Sequence, residues 1–383
     1  MKQVTKHKTN DHTYTLIVDG NNLLKISLVD KTMNSNGEEY GGVMSFLRIL
    51  GTILRKKDFN YCIVCFDGEG SGVLRWKLYK DYKANRDKNY ELHDPNMSDY
   101  MKDKIMYAKK VMAYKSKRVS KDEEDAVFKR EKAIIQEILE ELCIRQYEYE
   151  DVEGDDIIAF YVKNKKDNEN VVIVSSDKDL TQLISDSVIV YNPRMKCFIT
   201  KDNSVEKIGI TYENVVLEKI LCGDASDNIK GIKGLGETTL MKLFPEIKTN
   251  KTDLKTVIER SKELLDERAH SKKKPLKTLI NIINGVTDGC QGDMIYEVNE
   301  KIIDLSEPLL TETARNSLSD ELYGVMDTTD RNIKNVYKII HEYGLSELTD
   351  ESKFSNLFGS FERISMMERK RFSQYSKNNN LLN

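Results

Sequence analysis

The sequence predicts an α/β protein with a central, mostly parallel sheet flanked by helices, followed by a helical C-terminal region. Short apolar runs alternate with amphipathic helical patterns up to about residue 210. Acidic residues directly follow three of these runs, at the points where strands of a parallel sheet would end. Beyond residue 210 the apolar spacing becomes helical almost throughout. These observations together define the predicted fold class.

The individual elements follow from the period of the apolar residues and from β-branched composition. Strands are expected at residues 14–18, 62–66, 171–174 and 188–190. Helices are expected at residues 42–57, 127–145 and 153–164. We divide the chain into a flexible N-terminus (1–12), an α/β core (13–210), a helical C-terminal region (211–365) and a flexible tail (366–383).

Composition restricts the class of protein. The chain has 383 residues, of which 39% are hydrophobic, and a formal net charge of −3, so it is long enough for a sizeable core but has no bulk positive charge. We expect no signal peptide, and no apolar stretch approaches the roughly 20 residues of a membrane span. We therefore expect a monomeric, cytoplasmic protein that acts away from membranes.

Cysteine and histidine usage indicates neither a zinc site nor a histidine-based triad. The six cysteines are scattered, and there are only five histidines. Cys62 and Cys65 form a CxxC pair, but both lie in a predicted buried strand and no second Cys/His pair stands at zinc-finger spacing. We interpret both as core residues of a reduced, intracellular protein.

The strongest signal is the position of the acidic residues. Asp19 follows the first predicted strand, Asp67 follows the second, and Asp177 and Asp179 follow the third. Because ligand sites in open α/β sheets lie beyond the carboxyl ends of the strands, we expect these four side chains at one edge of the sheet.

Two further acidic groups stand at predicted helix starts or turns. Their members are Glu153, Asp155, Asp156, Asp224 and Asp227. So many carboxylates cannot stay ionised at close range without cations, and ligand sets of oxygen alone favour Mg²⁺ or Mn²⁺. Two such ions about 4 Å apart commonly support phosphodiester hydrolysis, one by lowering the pKa of the attacking water and one by stabilising the leaving oxygen. The alternative is that each acid is an ordinary helix cap or loop residue.

A glycine-rich segment follows the last acidic group. Gly231, Gly234 and Gly236 precede a predicted helix that Pro245 closes. Such a turn exposes backbone N–H groups and allows close approach to a phosphate. It lacks the GK[ST] of a P-loop, so on spacing alone a nucleotide-binding loop and a plain turn both remain open.

A basic stretch lies between two of the acidic motifs. Residues 75–90 interleave Arg75, Lys80, Lys83 and Arg86 with aromatic residues, and residues 101–121 are rich in lysine. Basic residues interleaved with aromatic residues are typical of proteins that bind single-stranded nucleic acid. Their positive charges contact phosphates, and their rings stack on nucleobases. A solvated helical face is the alternative.

The motifs resemble the flap endonuclease / 5′–3′ exonuclease superfamily, most closely its bacteriophage RNase H or 5′-exonuclease members. The resemblance covers roughly residues 14–245. The matching segments are LIVDGNNLL (16–24), VCFDG (64–68), YKANR (82–86), VEGDDIIA (152–159), VVIVSSDKDLTQLI (171–184) and LCGDASDNIKGIKGLGETTLMKLF (221–244). The family's acidic motif at residues 152–156 often carries Ala where this chain has Gly154.

The resemblance implies a PIN-like 5′-nuclease core and a set of metal ligands. Asp67, Glu153, Asp155 and Asp177 would hold the first of two Mg²⁺ ions, with Asp19 near it, and Mn²⁺ could substitute. Asp179, Asp224 and Asp227 would hold or orient the second ion. Asp156 would either join them or fix the helix start. Asp155 is thus placed in the catalytic centre itself.

The resemblance also implies nucleic-acid contacts. Residues 84–126 would form a helical arch over the 5′ strand, and Lys83, with Arg75 as a second candidate, would stabilise charge at the scissile phosphate. Residues 220–245 would form a helix–hairpin–helix element that grips duplex backbone, often with bound K⁺ in the family. The nucleic-acid-binding residues would be Lys80, Tyr82, Lys83, Arg86, Lys230, Gly231, Lys233, Gly234, Gly236 and Lys242.

The implied activity is a structure-specific 5′–3′ exonuclease or flap endonuclease with RNase H-like removal of RNA primers. Its partners would be DNA and RNA–DNA hybrids with free 5′ ends or 5′ flaps, and the tail could recruit a single-strand-binding or other replication protein. A phage-encoded member would act in the host cytoplasm. Two alternatives are a PIN-like ribonuclease and a catalytically inactive protein that binds branched DNA. Lys272, Lys273 and Lys274 are interpreted as a solvated loop or, alternatively, a duplex contact.

Overall fold

The sheet at the centre of the molecule has six strands. The computed structural model describes residues 12–84, 119–288, 292, 294–345, 348 and 350–380. The strands are Thr13–Asp19 (β1), Tyr61–Cys65 (β2), Arg145–Tyr147 (β3), Glu169–Val174 (β4), Val188–Asn192 (β5) and Cys197–Ile199 (β6). The predicted flexible N-terminus, apart from His12, falls outside these residues, as do residues 85–118 of the predicted arch, including Arg86.

The strand order is β3-β2-β1-β4-β5-β6. Strands β1 to β5 run parallel to their neighbours, and β6 alone pairs antiparallel, with β5. Asp19 is in register with Cys65 at the ends of β1 and β2, and Val18 is in register with Val174 near the end of β4. The predicted α/β class with a mostly parallel sheet is confirmed, and the carboxyl ends of β1, β2 and β4 lie side by side.

Helices cover both faces of the sheet and form most of the remaining chain. The first five are Gly20–Ser27 (α1), Gly41–Leu54 (α2), Val73–Leu78 (α3), Val119–Glu141 (α4) and Gly154–Asn164 (α5). The next five are Ser204–Ile208 (α6), Val215–Cys222 (α7), Glu237–Leu243 (α8), Leu254–His270 (α9) and Lys277–Ile283 (α10). The last five are Met294–Ile303 (α11), Glu312–Glu321 (α12), Ile333–Glu342 (α13), Glu351–Phe358 (α14) and Glu362–Asn380 (α15). Within the described ranges, no helix combines the length and the apolar character that a membrane crossing requires.

The alternation of side chains along β1 explains the two cores that sandwich the sheet. Leu16 and Val18 are buried in one core with α2 and α4, whereas Ile17 is buried in the other with α5. Helices of the C-terminal region complete both cores, since Phe361 packs into the first and Leu318 into the second. The C-terminal region is therefore not a single body beside the sheet, because its last third covers both sheet faces.

A third apolar core holds residues 208–303 together beside the carboxyl edge of the sheet. It includes Leu221, Ile232, Leu240 and Phe244, and it also contains Tyr82 from the segment that follows α3. A two-stranded antiparallel ribbon, Gly223–Asp224 (β7) and Ile229–Lys230 (β8), lies between α7 and the glycine-rich turn. This arrangement places the glycine-rich turn next to the edge where β1, β2 and β4 end.

Two predicted boundaries differ from those in the structure. The tail predicted to be flexible from residue 366 is helical as far as Asn380, because Glu368 is buried and pairs with Arg145 of β3 at 3.0 Å. The helix predicted at residues 127–145 ends at Glu141, because Cys143 has a φ of 57° and the chain then enters β3. Strands β3 and β6 were not predicted, since each is only three residues long.

Candidate active site

A cavity of about 110 Å³ opens at the carboxyl edge of β1, β2 and β4. That volume holds several water-sized groups, so it is large enough for hydrated cations. Seven of the nine predicted carboxylates line it, together with basic and amide side chains. The acidic lining residues are Asp19, Asp67, Glu153, Asp155, Asp177, Asp179 and Asp227. Acidic residues that are far apart in the sequence therefore meet at one rim of the sheet, as predicted for this edge.

Asp19 ends β1 and caps helix α1. Its carboxylate accepts hydrogen bonds from the backbone N–H of Asn22 at 3.0 Å and from the hydroxyl of Ser175 at 2.9 Å. Burial raises the pKa of Asp19 to about 7, and the nearby charges of Asp67 and Asp177 act in the same direction. The side chain is therefore fixed in place, but its ionised form is poorly stabilised. A nearby cation would stabilise that form.

Asp67 and Asp155 line the same cavity as Asp19. Asp67 accepts hydrogen bonds from the side-chain amide of Asn21 at 2.7 Å and from the backbone N–H of Gly154 at 2.8 Å, which ties the end of β2 to the start of α5. Burial raises the pKa of Asp155 well above its usual range, and the charges of Asp19, Asp177 and Asp67 raise it further. The raised pKa shows that the carboxylates around Asp155 repel one another and that nearby positive charge does not offset this repulsion.

Asp177 and Asp179 lie on the turn that follows β4. The backbone N–H of Asp179 donates to the Asp177 carboxylate at 2.9 Å, and the backbone N–H of Asp177 donates to the hydroxyl of Ser175 at 3.0 Å. Burial and the charge of Asp177 raise the pKa of Asp179 to about 7 even though Lys219 pairs with it. This turn therefore aims two carboxylates into the same cavity.

Lys219 on α7 joins two acidic motifs that are separate in the sequence. Its ammonium group pairs with Asp179 and lies 2.5 Å from a carboxylate oxygen of Asp224. Burial opposes ionisation of Asp224, but Lys219 and the hydrogen bonds from Ser226 outweigh it and lower the pKa of Asp224 to about 2. Asp224 contacts this lysine and does not line the cavity, unlike its neighbour Asp227.

Arg75 and Asp156 depart from the predicted arrangement. The Arg75 guanidinium is buried, pairs with Asp156, lies 3.0 Å from Glu153 and donates to the carbonyl of Ile302 at 2.9 Å. Asp156 also accepts the backbone N–H of Leu309 at 2.8 Å. Asp156 therefore does not line the cavity, and its carboxylate ties the first turn of α5 to α3 and to the segment that follows α11. Arg75 lines the cavity, and its guanidinium contacts Asp156, Glu153 and the carbonyl of Ile302.

Tyr82 and Lys83 close the cavity from the side of the predicted arch. The Tyr82 hydroxyl donates to Glu153 at 3.0 Å, and its ring is buried in the third core, so it is not exposed for base stacking in this structure. The Lys83 ammonium donates to Glu153 at 2.5 Å, and its backbone N–H donates to the carbonyl of Asp227 at 2.7 Å. Lys80 is exposed and lies over the ring of Trp76 at 3.6 Å.

The chemistry of the lining fits a hard divalent cation. The described lining residues supply carboxylate, amide and hydroxyl oxygens but neither histidine nor cysteine. In the parts of the chain that the structure describes, no three acidic, histidine or cysteine side chains already converge closely enough to form a metal site. Two of the carboxylates are instead paired with ammonium groups, since Lys83 forms an ion pair with Glu153 and Lys219 forms one with Asp179.

The glycine-rich turn has the local geometry of a tight hairpin. Gly234 has a φ of 80°, a conformation that favours glycine. A Cβ atom on Gly231 would lie 2.1 Å from the backbone carbon of Cys222, so only glycine fits there. The turn connects α7 and the β-ribbon to α8, and the side chains of Lys230 and Lys242 are exposed beside it. Lys233 pairs with Asp288 at 2.8 Å, and Gly236 precedes α8.

Several cavity residues were not predicted. Asn21, Asn22 and Lys25 occupy one face of α1, at spacings of three and four residues that the sequence does contain. Lys25 is exposed, and among the described residues no acidic side chain pairs with it. Lys219 carried no such local signal, because its role depends on Asp179, forty residues earlier in the chain.

The fold presents clustered carboxylates at the carboxyl edge of a mostly parallel sheet, beside a glycine-rich hairpin. Residues 14–209 match the family described as "5′-3′ exonuclease, N-terminal resolvase-like domain", and the chain belongs to this family. This match covers the whole sheet and the acidic residues up to Asp179.

Individual relatives agree with the family assignment. The chain is 24% identical over 318 residues to the 5′-3′ exonuclease of Aquifex aeolicus (strain VF5), covering 82% of this chain and 94% of the relative. It is 31% identical over 260 residues to DNA polymerase I of Bacillus subtilis (strain 168), covering 66% of this chain and 26% of the relative. The chain thus spans about a quarter of that polymerase.

A solved structure shows the same fold. The structure of T5 5′-exonuclease with bound zinc ions superposes with a TM-score of 0.55 and 18% identity, covering 86% of this chain and 99% of the other. At this identity the likeness supports the fold alone.

Proposed function

We propose that the protein hydrolyses phosphodiester bonds at or near the 5′ ends of DNA or RNA–DNA hybrids, with divalent cations bound in the carboxylate cavity. The observation that carries this proposal is the convergence of seven carboxylates on one cavity at the end of β1, β2 and β4. Membership of the 5′–3′ exonuclease family supports the same reaction class.

The proposal places two Mg²⁺ ions in the cavity, for which Mn²⁺ could substitute. Asp67, Glu153, Asp155 and Asp177, with Asp19 beside them, would hold one ion. Asp179 and Asp227 would hold the other, with Asp224 orienting Lys219. When bound, the ions would supply an activated water and stabilise the leaving oxygen. The raised pKa values of Asp19 and Asp179 support this placement, because they mark a cavity that lacks compensating positive charge.

Residues of the chain itself would hold the substrate in place. Lys83 reaches the cavity from its rim and would stabilise negative charge on the scissile phosphate once a cation satisfies Glu153. Lys25 faces the cavity without an acidic partner among the described residues, so its ammonium group would contact a phosphate of the bound strand. Arg75, which pairs with Asp156 and donates to the carbonyl of Ile302, would position Glu153.

The glycine-rich hairpin supports binding of duplex beside the cavity. Its exposed backbone and the side chains of Lys230 and Lys242 would hold phosphates of the duplex without reading sequence. A bound K⁺ ion at this hairpin, as implied by the family resemblance, is part of the proposal. Candidate substrates are RNA primers on DNA, nicked or gapped duplexes and 5′ flaps, acted on by a monomer in the cytoplasm.

Two alternatives give different results in one experiment. A PIN-like ribonuclease would cut single-stranded RNA without needing a duplex, and an inactive branched-DNA-binding protein would bind a flap without cutting it. We expect the wild-type chain to cut a 5′-labelled flap in Mg²⁺ and to be inactive in EDTA. Asp155→Asn should abolish cleavage while flap binding is retained, and the surface variant Asp320→Asn should behave as wild type. Wild-type binding without cleavage in both Mg²⁺ and Mn²⁺ would favour the inactive binding protein.

A further inference from the structure

The turn between α9 and α10 carries an exposed cluster of positive charge. Lys272, Lys273 and Lys274 are all exposed, and Lys277 follows at the start of α10. Among the described residues, no acidic side chain pairs with any of these four lysines. The nearest acids along α9 that form ion pairs, Glu263 and Glu267, are paired with Arg260. We call residues 272–277 the lysine turn.

The backbone of the lysine turn is held in a defined shape. The backbone N–H of Lys273 donates to the carbonyl of Arg268 at 2.8 Å, and the Arg268 side chain donates to the carbonyl of Lys274 at 3.0 Å. Lys272 has a φ of 53°, which reverses the chain direction after α9. Because the turn is already ordered, binding a ligand there would cost little backbone entropy.

The lysine turn lies next to the glycine-rich hairpin. The Asn281 side chain of α10 donates to the carbonyl of Lys233 at 2.9 Å, and the backbone N–H of Lys233 donates to the carbonyl of Val286 at 2.9 Å. The hydroxyl of Thr278, one residue after Lys277, lies 3.5 Å from the carbonyl of Gly234. The start of α10 therefore contacts the hairpin directly, and the two turns belong to one surface.

We infer that the lysine turn is a second binding site for the phosphate backbone of the duplex, beyond the glycine-rich hairpin. The inference rests on the proposed function, since it extends the duplex grip of the same enzyme. Four lysines without acidic partners match a polyanion with one charge per roughly 1.7 Å of axis. The contact would be independent of sequence, because ammonium groups here would reach phosphates and not base edges.

The test compares two triple variants with the same change of charge. The first is Lys272→Gln, Lys273→Gln and Lys274→Gln, and the control is Lys334→Gln, Lys353→Gln and Lys370→Gln on α13, α14 and α15, whose lysines are also exposed. Fluorescence anisotropy in EDTA would measure the affinity of the full chain for a flap DNA at several salt concentrations. One DNA, the long-duplex flap, carries a duplex of about 20 base pairs, roughly 68 Å long, and the other is the same flap strand without a duplex.

We expect the lysine-turn variant to bind the long-duplex flap about tenfold less tightly near 0.1 M salt, with a salt slope smaller by about two to three. It should bind the single strand like the wild type, and the control should match the wild type on both. Equal losses in both triple variants, or a loss as large on the single strand, would overturn the inference and leave a solvated turn. If the wild type binds neither DNA, the proposed function fails together with the inference. Lys277→Gln alone provides a milder check, with a smaller loss of the same kind.

Discussion

The Arg75 guanidinium donates to Asp156 through both terminal nitrogens, one of them at 3.0 Å, in an ion pair that is almost completely buried. The pair joins three parts of the chain, since Asp156 begins α5, Arg75 belongs to α3, and Ile302 and Leu309 contribute backbone partners. Arg75 also lies 3.0 Å from Glu153, which lines the cavity. The position of one cavity carboxylate therefore depends on a pair that does not itself need to touch substrate.

Removing one partner of this pair should destabilise the protein strongly. We expect Arg75→Met to lower the free energy of unfolding by about 3 to 5 kcal/mol, because it leaves the Asp156 charge buried and unpaired. The double variant Arg75→Met/Asp156→Leu should recover much of that loss. Urea unfolding of the two single variants and the double variant measures the coupling. Strictly additive losses would contradict a direct pair.

Lys83 should matter for the rate of cleavage more than for binding. Its ammonium group is held at the cavity by Glu153, so we expect Lys83→Ala to lower kcat by about 10² to 10³. Single-turnover cleavage of a 5′ flap gives the rate, and anisotropy gives the affinity. Lys334→Ala, at an exposed position on α13, should leave both unchanged. A rate close to that of the wild type in Lys83→Ala would exclude a role at the scissile phosphate.

Lys25 should contribute mainly to binding of the cleaved strand. We expect Lys25→Ala to raise KM roughly tenfold with a smaller change in kcat, since a charge-assisted phosphate contact is worth about 1.5 kcal/mol. Lys25→Arg should retain most of the affinity, because the charge is kept. Steady-state kinetics on one flap substrate would separate the two parameters. Unchanged KM in the alanine variant would show that Lys25 faces solvent only.

Glu131 should make stability fall as pH rises. Its side chain is buried and accepts the backbone N–H of Val43 at 2.7 Å, and burial raises its pKa to about 7. Since the folded state holds the proton more tightly than the unfolded state, stability decreases between about pH 4.5 and pH 7. Glu131→Gln, which keeps an acceptor for Val43, should be more stable than the wild type by roughly 1 to 3 kcal/mol at pH 8.

The control for this prediction is a solvent-exposed carboxylate on the same helix. Glu123→Gln changes an exposed residue of the same helix and should show no such gain at pH 8. Chemical denaturation at pH 4 and at pH 8 would reveal the difference. A gain in Glu131→Gln that is equally large at pH 4 would mean that packing, and not ionisation, causes it.

The parts of the site that the sequence predicted are those with local signals. Asp19, Asp67 and Asp177 each follow an apolar run, and a parallel sheet gathers the ends of such runs at one edge. The α/β fold class was predicted from the same apolar runs. The strands of three residues, β3 and β6, gave no periodic signal because they are too short.

The parts that could not be predicted depend on contacts between distant residues. Whether Arg75 reaches substrate or Asp156 cannot be read from spacing, because the two residues are separated by eighty-one positions. The bridge formed by Lys219 depends on how α7 packs beside the turn after β4. Likewise, residues after 366 have little apolar character, and their helix is anchored through the Arg145–Glu368 pair.

Direct measurement of bound Mn²⁺ tests the central claim, that the carboxylates at the sheet edge hold divalent cations. Titration of the full chain, followed by the electron paramagnetic resonance signal of the free ion, gives the number of ions bound and their affinity. We expect two ions per wild-type chain, weaker binding in Asp155→Asn and wild-type binding in Asp320→Asn. A free-ion signal that the wild-type chain does not reduce, or an Asp155→Asn curve that superposes on the wild type, would contradict the claim.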